Sequence, residues 1–345
     1  QTGLTEMYEF TLGEFGTKMT GYRKSYSKFP IANVNYINNS VLNAVASKEK
    51  DTEKYYIGIY AGTFILLNEL FLRMMSSPNI LPHIGDVSKE DPTKKLFNPQ
   101  QFDLDTYFIA KPDEENIMPK DTKRQLYASL FTKTALNFLF DHEYAHIAFG
   151  HVDYLATQQN IFTISEDEIL NDIPLNSQTL EMDADSFAAH QGLGLLKSIN
   201  DTPSQLPEYR REFFCDWKNG LSNWFFSIYC LFRIFGYKNF EHSKLLKYSH
   251  PPTGIRQRLI AGSLYNYFTK NLNVGIEQEF WEIHHDAIDN VEKAFNEISE
   301  TILNRNAIDF AYTPEAGKHM KLIVDNWNNV RPKLEKYANG YLVGQ

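Results

Sequence analysis

Apolar residues recur along this chain in two rhythms. From Tyr55 to Tyr60 (Tyr-Tyr-Ile-Gly-Ile-Tyr) aromatic and β-branched side chains run together, which predicts a buried strand. An earlier stretch, 33–46, is also strand-like, and a charged turn over 48–54 separates the two. Gly62 ends the strand, and the period then lengthens. Leu66, Leu67, Leu70 and Phe71 share one side, so 63–75 is expected to be helical. Residues 76–120 are rich in Pro, Asn and Asp and read as a long insertion with limited regular structure. Helical spacing returns with Leu126, Leu130, Phe131 and Leu139. Asp121 or Thr122 is placed to cap that helix, and Gly150 to stop it after Phe149. An acidic segment with Glu166, Asp167, Glu168 and Asp172 reads as a solvated loop, and a helix from Asn176 or Ser177 to about Ala189 follows it. Residues 206–236 read as apolar helix, Pro251 and Pro252 open another, and 275–337 reads as two amphipathic helical stretches. The expectation is an α+β fold, mostly α, with a small N-terminal β-sheet packed on a helical core and a helical C-terminal region.

Composition narrows the function classes. The chain has 345 residues, 43% hydrophobic and 22% charged, enough to bury a substantial core. Its net charge of -9 argues against nucleic acid as a partner. Its two cysteines, Cys215 and Cys230, are too few for a disulfide scaffold and read as buried thiols in a reducing, cytoplasmic setting. The two most apolar runs, 55–75 and 224–235, carry charges or are too short, so no membrane span is expected. The chain begins at Gln1 without an initiator Met, which leaves a preceding segment open, and no basic-then-apolar signal segment stands at its start.

The candidate chemistry lies at 142–146, His-Glu-Tyr-Ala-His. Positions four apart share a helix face, so His142 and His146 can reach one zinc ion, with Glu143 beside them as a base for an activated water. Tyr144 is read as packing, and Ala145 and Ala148 permit close helix contact. A catalytic zinc needs a third protein ligand, and two residues compete. His151 follows His146 by five positions, the wrong register for a third His on the metzincin pattern. Leu-Glu-Met-Asp-Ala-Asp-Ser-Phe-Ala-Ala at 180–189 offers a better one. There Glu181 and Asp185 are four apart, so Glu181 can ligate while Asp185 accepts from the far nitrogen of a ligating histidine. Ala184 and Ala188 give that helix a close-packing seam, and Asp183 is expected to face solvent. His284 and His285, adjacent on a helix, are expected at the surface.

His-Glu-x-x-His followed by Glu-x-x-Ala-Asp-x-x-Ala resembles the gluzincin metallopeptidases of the HtpX and CAAX-prenyl-endopeptidase kind. Asn43-Ala44-Val45-Ala46 is similar to their N-terminal Asn-Ala strand pair, and Ser249-His250-Pro251-Pro252-Thr253 with Arg256 to their Ser-Thr-His-Pro segment. The likeness spans about half of the chain. It departs from the pattern in lacking the membrane helices of some members and in carrying the 76–120 insertion and a long tail. The same motifs also resemble the ImmA/IrrE group and the phage-exclusion Lit-type peptidases. The resemblance implies a zincin-type core, with residues 1–270 as the peptidase domain and 271–345 as a C-terminal helical extension. It further implies Zn2+ on His142, His146 and Glu181, Glu143 as general base, His250 as oxyanion donor and Arg256 as a positioning group. The function expected is hydrolysis of a protein or peptide substrate. The competing reading is a zinc-stabilised regulatory or binding protein without peptidase activity.

Overall fold

The strand rhythm becomes three strands, β1 (Ala32–Ile37), β2 (Ala44–Lys48) and β3 (Tyr55–Tyr60). They belong to a computed structural model that describes residues 2–91, 117–165, 174–201, 208–214, 216–236, 241–272, 277–299 and 305–340. β3 lies between β1, to which it is parallel, and β2, to which it is antiparallel. A three-residue strand, β4 (Thr163–Ser165), completes the order β1-β3-β2-β4. It is too short to register in the hydrophobic pattern. Asn43 locks this edge: its Nδ2 donates to Ser165 Oγ at 2.8 Å, and Thr63 Oγ1 donates to its carbonyl oxygen at 2.9 Å.

The rest of the described chain is mainly helical. α1 (Thr2–Ser25) precedes the sheet, and the pattern does not announce it, because Gly3, Gly13, Gly16 and Gly21 interrupt its apolar positions. α2 (Ala61–Met75) follows β3 without a loop. α3 (Thr122–Ala148) is capped by Asp121, whose side chain accepts from the backbone N–H groups of Lys123 and Arg124. α4 (His151–Gln159) leaves α3 through Gly150, at φ 74°. A Cβ on Gly150 would lie 2.5 Å from the Tyr337 carbonyl carbon, so only glycine fits the turn. α5 (Pro174–Asp201) runs beyond the expected end at Ala189. Gly192, within that extension, lies so close under the Trp224 ring that a larger residue would collide with it.

α6 (Glu208–Phe213) and α7 (Trp217–Phe235) fill the expected 206–236 region, and α8 (Thr253–Tyr267) begins behind Pro252. The tail forms α9 (Glu277–Ile298), the short α10 (Asn306–Ala311) and α11 (Pro314–Leu334). α3 packs on α5 along an alanine seam in which Ala145, Ala148, Ala184 and Ala188 are at most 1% exposed. β2 and β3 cover another side of α3, and α8 and α11 cover α5. The buried Arg124 organises residues 76–91: its guanidinium donates to the carbonyl oxygens of Met75, Ser77, Ile80, Leu81 and Ile84. Residues 92–116 of the expected insertion, the acidic segment and Cys215 lie outside the described residues; Cys230 is buried. Among the described residues no helix is long and apolar enough to cross a membrane.

His284 corrects an expectation. It is 0% exposed, against Phe225, Tyr229 and Trp281, while His285 is exposed. Neighbouring helix positions point about 100° apart, so only one of the pair faces water. Neither ring nitrogen of His284 makes a well-aligned hydrogen bond.

Candidate metal centre

The last turns of α3 bring His142 and His146 together. Their Nε2 atoms are 3.1 Å apart, and both residues are 1% exposed. α5 supplies Glu181, with Oε2 3.3 Å from His142 Nε2 and Oε1 3.4 Å from His146 Nε2. These three residues form a buried group whose donor atoms all lie within 4.8 Å of one another. Glu181 Oε2 is buried, yet it accepts no well-aligned hydrogen bond. A buried carboxylate left in that condition facing two imidazoles is costly unless a cation joins it. Two imidazole nitrogens and one carboxylate are a donor set that can hold a metal ion.

The outer contacts fix the rings. His142 Nδ1 lies 3.0 Å from Asp185 Oδ1. Asp185 is gripped by Arg256, whose Nε and Nη2 donate to its two oxygens at 2.8 Å each. The Arg256 guanidinium also lies over the Phe232 ring, 4.8 Å from its centroid. Ser249 Oγ and His250 Nδ1 are 2.9 Å apart, and His250 Nε2 is 3.5 Å from Glu181 Oε1. His250 has 17% of its side chain exposed, whereas His142, His146, Glu181, Asp185 and Arg256 are almost closed off. Glu143, beside His142, is 1% exposed.

Charge is distributed unevenly. Burial opposes a charge on His142, but the carboxylates of Asp185 and Glu181 beside its two nitrogens outweigh it and hold its pKa well above the ordinary imidazole value. His146 goes the other way: burial, with His142, His151, His250 and Arg256 adding to it, pushes its pKa well below. Burial also works to raise Asp185, but Arg256 outweighs it and keeps that carboxyl below its ordinary value. Because Nε2 of His142 faces Glu181, a metal ion bound there would displace a proton from that ring.

Asp183 differs from its sequence reading, and other residues went unread. Asp183 does not face solvent: it is 2% exposed, because α5 is enclosed on several sides, and its Oδ2 lies 3.1 Å from His151 Nε2. His151 lies outside the three-residue donor group; its Nδ1 is 3.0 Å from His146 Nδ1. Gln178, one turn before Glu181, was not marked by motif, although its helical spacing could have shown it. Its Nε2 donates to the carbonyl oxygens of Leu245 and Tyr248 at 2.7 Å, and its Oε1 accepts from His319 Nε2 at 2.7 Å. It thereby fastens the segment before His250 to α5. Asp141 takes Lys18 Nζ at 2.5 Å and Tyr22 Oη at 2.6 Å, which ties α1 to the residue before His142. No sequence signal links residues so far apart.

Comparison with known proteins places this geometry in a family. No curated protein and no solved structure matches the chain. The sequence profile of the family Peptidase U49 matches residues 89–271, a span that takes in α3, α5 and α8 and with them every residue of the cluster. Because that match covers just over half of the sequence, the protein belongs to the Peptidase U49 family.

Proposed function

We propose that the protein is a zinc-dependent endopeptidase of the gluzincin type, with His142, His146 and Glu181 as the metal ligands. The observation that carries this reading is the convergence of three buried donors from α3 and α5 on one point, with Glu143 beside the first. Nitrogen, nitrogen and oxygen donors from three protein residues suit a catalytic zinc, which leaves a coordination position open. Zinc bound there supplies Lewis acidity, which acidifies a water and polarises the scissile carbonyl.

Glu143 accepts the proton of the attacking water at its carboxylate and returns it to the leaving amine. His250 is placed to stabilise the developing oxyanion. Ser249 Oγ lies 2.9 Å from its Nδ1; when that hydroxyl donates, the ring proton is on Nε2, at the partly exposed side of the cluster. Asp185 holds the His142 ring by accepting from Nδ1, and Arg256 holds Asp185. Substrate approaches from the His250 side, where exposure is greatest. On this reading residues 1–270 form the peptidase domain and 271–345 a helical extension that supports it, as the His319–Gln178 contact suggests. The cysteine-poor composition supports a cytoplasmic setting. A zinc-stabilised binding protein is the less favoured reading, since the family is one of peptidases.

The test joins metal content to cleavage. Elemental analysis of the purified chain is expected to give about one zinc per chain, absent from His146→Ala. Glu143→Gln is expected to keep the zinc and lose roughly 10²–10⁴-fold in cleavage of a peptide library read by mass spectrometry. No zinc, even after reconstitution, overturns the metal assignment; unchanged cleavage in Glu143→Gln removes that residue as the base.

A further inference from the structure

His151 and Asp183 are buried polar residues that the mechanism above does not use. His151 is 0% exposed and Asp183 2%. Five positions on a continuous helix would carry residue 151 about 140° away from residue 146. The left-handed turn at Gly150, φ 74°, instead starts a new helix and brings the His151 ring against His146. The contact runs Nδ1 to Nδ1, at 3.0 Å, and the other end of His151 meets Asp183 Oδ2 at 3.1 Å.

These distances allow one arrangement of protons. His146 Nε2 faces His142 Nε2 and Glu181, so a ligating His146 must keep that lone pair free and carry its proton on Nδ1. A proton there must be given to His151 Nδ1, since two N–H groups cannot face each other at 3.0 Å. His151 Nδ1 is then the bare nitrogen, and the His151 proton lies on Nε2, where Asp183 accepts it. The opposite arrangement would put the His146 proton on the nitrogen that faces the metal cluster.

We infer that His151 and Asp183 are positioning residues, a two-step hydrogen-bond chain that holds His146 in its metal-binding tautomer and orientation. The inference rests on the proposed metal site. His142 reaches its supporting carboxylate, Asp185, directly, whereas His146 reaches Asp183 through an intervening imidazole. Helix α5 then carries the third ligand and both supporting carboxylates as Glu181, Asp183 and Asp185. A rotation of α5 against α3 would disturb all three contacts together. Outer partners of metal-binding histidines are commonly worth 10–100-fold in metal affinity.

The test is zinc affinity of the full chain, by competition with a chromophoric chelator, with the visible spectrum of the cobalt-substituted protein as a second readout. His151→Leu removes the acceptor; it is expected to weaken zinc binding roughly 10–100-fold and to change the cobalt bands. Asp183→Ala is expected to change both in the same direction. His151→Asn places a carbonyl oxygen near the position of the histidine Nδ1 and is expected to recover affinity to within a few-fold of the unmodified chain. Unmodified affinity in a folded His151→Leu, or an His151→Asn as weak as His151→Leu, overturns the chain. If His151→Leu does not fold, by circular dichroism, His151→Asn and Asp183→Ala decide. Failure of the unmodified protein to take up zinc is a different result and overturns the metal site itself.

Discussion

At the scale of single residues, burial decides which ionisable groups matter outside the cluster. His284 sits among aromatic rings with no well-aligned hydrogen bond to either nitrogen, and burial pushes its pKa down to about 3. In the unfolded chain the same imidazole titrates near 6.5, so between those values the unfolded state binds the extra proton. Stability is therefore complete above about pH 6.5 and falls as pH drops toward about 3, at about 1.4 kcal/mol per pH unit for this group. His284→Leu is expected to remove that share of the acid sensitivity. Unfolding free energies from urea titrations at pH 7.5 and 5.5 check it: the gap between them should narrow by about 1.4 kcal/mol relative to the unmodified chain. Arg256 is the opposite case, a buried charge that is fully paired. Arg256→Met leaves Asp185 without the guanidinium that meets both its oxygens and is expected to lose about 3–5 kcal/mol, whereas pairing it with Asp185→Leu should restore much of that stability. Urea denaturation of the single and double variants separates the two outcomes, and a double variant as unstable as the single one would contradict the account.

At the scale of elements, segments with little regular structure are held by side chains reaching in from helices. Residues 76–91 wrap around Arg124, which meets five carbonyl oxygens with one planar fork of donors. Lysine cannot copy this, because its ammonium offers a point charge and not a fork. Arg124→Met leaves several buried acceptors unmatched, and each costs about 1–3 kcal/mol with incomplete additivity. A loss of at least about 3 kcal/mol is expected, with faster amide hydrogen exchange concentrated in 76–91; uniform exchange across the chain would show that the clamp is not local. This arrangement also explains why only part of the segment was legible. Its Pro and Asn content signals limited regular structure, which in 76–91 amounts to one three-residue 3-10 turn, Val87–Lys89, but nothing local reveals that a residue some forty positions later supplies the hydrogen bonds. Helix α3 is different. Its start at Asp121, its apolar spacing and its stop at Gly150 are local signals, and each is present in the structure.

At the scale of the whole molecule, the proposed zinc joins two helices separated by an α4–β4 excursion and ties metal binding to folding. A ligand that binds only the native state stabilises it by about 4 kcal/mol at a thousandfold excess over its dissociation constant. Removal of the metal by a chelator is thus expected to lower the melting temperature by about 5 °C. His146→Ala should melt near the chelated protein and show no further response to chelator. Equal melting with and without chelator in a zinc-loaded sample would contradict the coupling. The C-terminal residues belong to the same unit: Asn339 N–H donates to the Ala148 carbonyl at 2.9 Å, which satisfies the end of the motif helix.

Sequence alone determined what depends on local geometry. Four-residue spacing on a helix places His142 over His146 and Glu181 beside Asp185 whatever surrounds them, and Gly150 and Pro252 mark boundaries through their own backbone limits. The mostly helical class with a small N-terminal sheet followed from the same periodicities. Tertiary structure decided which faces became buried and which distant groups met. Asp183 lies inside because α5 is enclosed by α3, α8 and α11, and His284 because its helix presses that side against α7. Short β4, glycine-interrupted α1, the Gln178 clamp and the His151–Asp183 contact all depend on partners far along the chain. The physical reason is rotational: one position of shift on a helix turns a side chain by about 100°, so packing, and not spacing, selects which residues face each other across two elements.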